Sequence, residues 1–411
     1  MERRAASGRN TMPSLPPRTG PLTDLRVIEL GQLIAGPFCG QIFADMGADV
    51  IKVEPPGQGD PLRDWGREGF PLWWSVVARG KRCITSNLRE AEGQDIVRKL
   101  VAQADFLLEN FRPGTLEKWG LGYEALREIN PRLIMIRVSG YGQTGPYASR
   151  AGYASVGEAM GGLRYVMGEA DRRPSRAGIS LGDSLAGVYA ALGALAALHH
   201  REKTGEGQMI DATIYESVLS VMEALVPEHQ FEGYTRERSG SILPNIAPSN
   251  IYEGCDGMVI IAANQDTVFA RLCVAIGLPD LKDDPEYKSH VARGRNQKAL
   301  DDMIQAWAAS RTIDEIEQIM IENGVPVGKV YRAADMLNDP HYAARESLTE
   351  VPSPRWPGIK QQNVFPKLSA TPGKIRWAGP ESIGQHTEEV LTELLDLTPE
   401  QVEKLRASGI I

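Results

Sequence analysis

The chain has 411 residues, of which 42% are hydrophobic and 24% charged, an ordinary globular composition whose length implies two domains. A net charge of −8 excludes a nucleic-acid binder that works through its overall field. Cys39, Cys83, Cys255 and Cys273 are scattered without a CxxC pair. The adjacent His199 and His200 point in different directions on a helix, so neither a disulfide frame nor a metal site is expected.

Residues 1–20 are rich in Arg, Pro and Gly with no apolar core, which predicts a disordered arm and no secretory signal. The ordered chain opens with a βαβ unit: strand Arg26 to Leu30, a helix with Pro37 in its first turn, and strand Asp49 to Glu54 after Gly47. The connecting loop GQLIAGP lies at the carboxyl end of a strand, where open α/β sheets bind ligands, but it lacks the GxGxxG spacing of a dinucleotide site. A Gly/Pro-rich loop follows, then Arg79, Lys81 and Arg82, a basic cluster that reads as solvated charge or an anion site.

The alternation resumes with helix Glu90–Ala102, strand Asp105–Asn110, helix Tyr123–Ile129 and strand Arg132–Gly140. Asn110 and Ser139 end strands on the same edge as the GQLIAGP loop, a cleft suited to a nucleotide-like ligand. A helix over 153–162 precedes the stretch RAGISLGDSLAGVYAALGALAALHH, a turn leading into an almost uncharged helix. Its all-round apolar character predicts burial, and Asp183 with Ser184 falls at the expected N-cap. Asp183 is therefore either a plain cap or a nucleophile on a rigid mount. The longest apolar run, Leu185 to Leu198, is too short to cross a bilayer, and a cytoplasmic location is expected.

From about Glu228 to Asn250 the pattern breaks into Gly, Pro and charge. A smaller α/β unit follows, with strand Gly257–Ala263 and helices near Thr267–Ile276, Gln297–Ala309 and Ile313–Glu322. Extended segments then lead to helices near Thr387–Leu395 and after Thr398. The expectation is an α/β protein with a large Rossmann-like domain over 21–227 built on a parallel sheet. A linker and small α/β domain occupy 228–332, and a C-terminal segment, 333–411, returns to the large domain.

Several motifs, in order, carry a resemblance: GQLIAGPFCGQIFADMGADVIKVE, PGQGD, RGKR, ENFRPGTLEKWGLGYEALREINPRLI, SGYGQTGPY, SLGDSLAG and TGEGQMIDATIYESV. Over essentially Pro21 to the C-terminus the chain resembles the class III coenzyme A transferases, the formyl-CoA transferase and CaiB/BaiF group. The resemblance implies that Asp183 is the catalytic carboxylate. It would attack an acyl-CoA thioester to give a mixed anhydride and then an aspartyl-CoA thioester, from which the acceptor acid takes the coenzyme. Coenzyme A and acyl-CoA are then substrates, and no prosthetic group is implied. Gln32, Leu33, Ala35, Asn110, Arg112, Lys118 and Tyr153 are implied on the coenzyme. Trp65, Arg150 and Gly182 are implied on the acid side, with loop amides around Gly182 serving the oxyanions.

The resemblance also implies an interlocked homodimer, with no nucleic-acid or membrane partner. Pro55 and Pro56 replace basic residues near the coenzyme, and SGSILPNIAPSN replaces a glycine-only loop, which sets oxalate or formyl specificity aside. Arg150, Arg164 and Arg176 suit the free end of a dicarboxylic acid such as succinate, and exposed salt bridging explains them equally well. The alternatives are an α-methylacyl-CoA racemase-like enzyme, whose His-Asp pair is missing after Gly152, and a CoA-binding protein without turnover.

Overall fold

The computed structural model describes residues 16–411, so the expected arm lies outside the described residues as far as residue 15. The chain forms two compact units. The first contains the described residues up to Gly161, then Ser180–Val221 and Glu346–Ile411. The second contains Gly162–Ile179 and Met222–Arg345.

The first unit is built on six parallel strands: β1 (Arg26–Glu29), β2 (Asp49–Glu54), β3 (Arg82–Thr85), β4 (Phe106–Glu109), β5 (Ile134–Ser139) and β6 (Met209–Thr213). Their spatial order is β3-β2-β1-β4-β5-β6, that of a doubly wound dinucleotide-binding sheet. Alternate side chains enter two different cores. Val27, Val50, Phe106 and Ile134 face one, and Ile28, Ile51, Leu107 and Met135 face the other. Helices α1 (Ala35–Asp45) and α4 (Leu181–Thr204) cover the first face. Helix α2 (Ala91–Val101) and the C-terminal helices Thr387–Leu395 and Pro399–Ala407 cover the second. Between them in the chain, α3 (Ala154–Met160) packs on α5 (Ile214–Leu219), which follows β6 directly.

α4 is longer than its apolar run suggests. It has 24 residues and is long and apolar enough to cross a membrane by length and composition alone. It is also not buried all round. Ala186, Gly187, Ala190, Ala191 and Ala194 are buried toward α1, whereas Val188 and Leu192 are 47% and 60% exposed. The close approach depends on Gly187, where an added Cβ would lie 3.0 Å from the Ala35 carbonyl oxygen and 3.2 Å from the Cys39 amide nitrogen.

The basic cluster is neither solvated nor an anion site. Arg79, Lys81 and Arg82 are all buried and paired. Arg79 binds Asp45 at 2.6 Å, Lys81 binds Glu29 at 2.7 Å, and Arg82 binds Asp49 at 2.6 Å. Arg82 and Asp49 are paired across neighbouring strands, Lys81 reaches Glu29 of β1 from the turn before β3, and Arg79 reaches the end of α1.

The returning C-terminal segment closes the β3 edge. The Cys83 amide donates to His386 Nδ1 (3.1 Å), the His386 amide donates back to the Cys83 carbonyl (2.9 Å), and the Thr85 amide donates to Thr387 Oγ1 (3.0 Å). Burial, reinforced by the Arg82 charge, pushes the His386 imidazole down to about 4.

The second unit has a three-stranded antiparallel sheet, β7 (Ser249–Glu253), β8 (Met258–Ala262) and β9 (Val327–Lys329), in that order. Helices Asp266–Ala275, Gln297–Ala308 and Ile313–Glu322 supply its core residues Phe269, Leu272, Leu300, Ile304, Ile316 and Met320.

Candidate active site

The winding direction of the first sheet reverses between β1 and β4, and the crevice beyond their carboxyl ends is where such sheets hold ligands. Asn110 follows β4 there, and its side chain is spent on the loop after β1. Its Oδ1 accepts from the Gln32 amide and its Nδ2 donates to the Gln32 carbonyl, both at 2.8 Å. Leu33 takes φ +62°, a left-handed conformation that costs a non-glycine residue roughly 1 kcal/mol. Its amide donates to the Asp60 carboxylate at 3.1 Å.

Two cavities open on this edge. The first, about 280 Å³, is lined by Asp183 together with Gln32, Leu33, Ala35, Trp65, Asn110, Arg112 and Tyr153. The structure thus gathers most of the expected site residues around the expected nucleophile. Sequence reasoning missed Phe111, Gly152 and Ile214 on the same wall, and it placed Ser139 and Gly140 only as strand-end residues. Gly140 and Gly152 stand so close that a Cβ on Gly140 would sit 2.8 Å from the Gly152 Cα, which explains two glycines there. The second cavity, about 510 Å³, shares Gln32 and Phe111 with the first and continues to Pro55, Pro56, Ser86, Asn87 and Arg89. The segment Ser86–Arg89 was legible in principle, because it leaves β3 at the same sheet edge.

Three expected residues stand elsewhere. Lys118, in the helical turn Thr115–Lys118, is exposed and lines neither cavity. Arg150 is exposed, with its guanidinium 3.6 Å from the centre of the Tyr147 ring. Gly182 is buried and its amide donates to Glu158 Oε1 at 3.2 Å, so it is occupied rather than presented to an oxyanion. Arg164 and Arg176 belong to the second unit.

Asp183 is not the N-cap. Ser180 holds that place and the helix begins at Leu181, which puts Asp183 at the third helical position, half-buried on the cavity wall. There its carboxylate stands in the first turn of a 24-residue helix, near the positive end of the helix dipole. At Gly182 a Cβ would lie 3.0 Å from Glu158 Cγ and 3.1 Å from Ile214 Cγ2, so those side chains would have to shift to admit one. Among the described residues no cluster of His, Cys, Asp and Glu fit to hold a metal ion occurs. A carboxylate, an amide side chain and a cation line one cavity, a set of groups suited to acyl transfer.

Comparison with known proteins supplies the family. The profile of CoA-transferase family III matches residues 22–387. The chain is 56% identical over 400 residues to succinyl-CoA–D-citramalate CoA-transferase of Chloroflexus aurantiacus, covering 96% of this chain and 99% of that one. It is 42% identical, over 96% and 98% of the two chains, to the succinyl-CoA–L-malate CoA-transferase beta subunit of the same organism. Among solved structures it is similar to a CaiB/BaiF family protein from Brucella suis, with TM-score 0.83, 35% identity, and coverage of 92% of this chain and 100% of that one.

Proposed function

The chain belongs to CoA-transferase family III, and from that premise we propose that it moves coenzyme A from succinyl-CoA to a hydroxylated dicarboxylic acid of the citramalate or malate kind. The observation that carries this reading is the Asp183 carboxylate on the wall of the first cavity, beside Gln32 and Arg112.

The coenzyme's nucleotide end takes the larger cavity, along Pro55, Pro56 and Ser86–Arg89. Its pantetheine arm crosses Gln32 and Phe111, which line both cavities, and brings the thioester to Asp183. An Asp183 oxygen attacks the thioester carbonyl, the C–S bond breaks, and a mixed anhydride and CoA thiolate result. The thiolate attacks the aspartyl carbonyl and expels the donor as a carboxylate, leaving aspartyl-CoA thioester. The acceptor carboxylate reverses both steps, so no proton or electron is consumed over the cycle. With the Gly182 amide occupied, the Gln32 side chain is the amide that serves the oxyanion. Of the residues lining the first cavity, Arg112 carries the positive charge, and its planar fork matches the remote carboxylate of a dicarboxylic acid.

A cytoplasmic homodimer completes the reading. The uncovered apolar residues Val188 and Leu192 of α4 support the dimer, and gel filtration with light scattering measures its mass. A monomer would remove this part. The substrate reading is tested by supplying succinyl-CoA with D-citramalate, L-malate, glutarate, acetate or butyrate and identifying new acyl-CoA by mass spectrometry. Dicarboxylic acids are expected to exceed monocarboxylic acids at least ~10-fold in kcat/KM. Equal use of acetate or butyrate would contradict the proposal.

A further inference from the structure

The loop that presents Gln32 is held at every polar backbone group from the Gly31 carbonyl to the Leu33 amide, each time by a side chain from another part of the sheet. Lys52 Nζ, on β2, donates to the Gly31 carbonyl at 2.6 Å. Asn110 takes both backbone groups of Gln32. Asp60 accepts from the Leu33 amide at 3.1 Å and, through the same oxygen, from the Leu62 amide at 2.9 Å.

Lys52 and Asp60 are in turn paired with each other at 2.8 Å, and Lys52 also meets Glu29 at 3.2 Å. All three side chains are at most 1% exposed. Burial opposes the charges, but Asp60 and Glu29 raise the Lys52 ammonium above its ordinary value, and Lys52 holds the Asp60 carboxyl below its own. Asp60 is itself fixed, because its amide donates to Glu54 Oε1 at 2.9 Å and Glu54 is gripped by Arg63 at 2.7 Å. Arg63 in turn stacks 3.9 Å from the centre of the Trp74 ring.

A free loop would not keep Leu33 at φ +62°. We propose that the buried Lys52–Asp60 pair is a positioning device that holds the Gly31–Leu33 loop in its left-handed bend, so that Gln32 meets the acyl-CoA thioester. Neither residue lines the Asp183 cavity, so both act through the loop. The inference rests on the reading of that cavity as the acyl-CoA site.

The test compares wild type, Asp60→Ala, Asp60→Asn and Asp60→Ala with Leu33→Gly. KM for acyl-CoA, KM for the acid, and peptide-level hydrogen exchange over residues 31–35 are measured in each. Asp60→Ala removes the acceptor for the Leu33 amide. It is expected to raise the acyl-CoA KM at least ~10-fold and deprotect residues 31–35, while the acid KM stays within ~2-fold. Asp60→Asn keeps an oxygen for that amide but removes the charge paired with Lys52, and is expected to raise the acyl-CoA KM ~3-fold or more, with a smaller loss of protection than in Asp60→Ala. Glycine adopts the left-handed bend without strain, so the double variant is expected to recover part of the KM lost in Asp60→Ala.

If Asp60→Ala does not fold, Asp60→Asn decides alone. Acyl-CoA KM and protection that move together support the device, and neither moving overturns it. Either one moving without the other overturns it, as does an equal rise in both KM values. Failure of the underlying site reading is distinguishable, because wild type itself would then bind no CoA by calorimetry.

Discussion

At the residue scale, the position of Asp183 on the cavity wall was legible and its place in the helix was not. The motif SLGDS located Asp183, but local sequence placed it on the cap, and only the backbone shows Ser180 in that role and Asp183 inside the first turn. Asn110 was expected on the coenzyme. It lines the cavity, yet its amide is engaged on both sides of Gln32, a long-range pairing that no local pattern reveals. The basic cluster failed for the same reason, since Asp45, Glu29 and Asp49 lie 34, 52 and 33 positions away in the chain. One consequence is specific to a pair of glycines. Gly140→Ala brings a Cβ within 2.8 Å of the Gly152 Cα on the cavity wall. Since both glycines are backbone wall, the expected outcome is a loss of kcat/KM of roughly 10²-fold together with a lowered melting temperature. Steady-state kinetics beside a thermal melt checks this, and undiminished activity would show that the wall yields.

At the element scale, strands and helices followed the hydrophobic pattern closely, because β1, β2, β4 and β5 are buried on both faces and mostly apolar, with Lys52 and Arg137 the charged interruptions within β2 and β5. The central helix was found but misjudged. Composition announces an apolar helix, and does not announce that only one side of it is covered. On the covered side, Gly187→Val is expected to destabilise the protein by about 2–3 kcal/mol, because a side chain there meets the α1 backbone as well as the Phe38 ring. Denaturant unfolding measures it. The exposed-side change Leu192→Gln is expected to leave the stability of the isolated chain within about 0.5 kcal/mol.

The β3 edge gives a pH dependence. The folded His386 value, about 4, lies below the ordinary 6.5. Between those values the unfolded chain binds a proton that the folded chain refuses, so stability is complete above about pH 6.5 and falls as pH drops toward 4. The loss from this group reaches at most about 3 kcal/mol. His386→Gln is expected to flatten that part of the stability–pH curve, and an unchanged slope would assign it to other groups.

At the scale of the whole molecule, the resemblance named the enzyme class, and the winding order of the sheet explains why the site lies where it does. β1 and β4 part company at the point where the Gln32 loop and Asn110 meet. The units were harder to read. Gly162–Ile179 belongs to the second unit although it interrupts the first, and a segment of so few residues leaves no composition shift to detect.

The central claim is that Asp183 carries the coenzyme, and mass spectrometry tests it most directly. The protein is incubated with succinyl-CoA, trapped with borohydride or hydroxylamine, digested and mapped. A modified Asp183, absent in Asp183→Ala while that variant keeps its fold and its affinity for CoA, is the expected result. An Asp183 left unmodified by succinyl-CoA while wild type still forms a new acyl-CoA would contradict it.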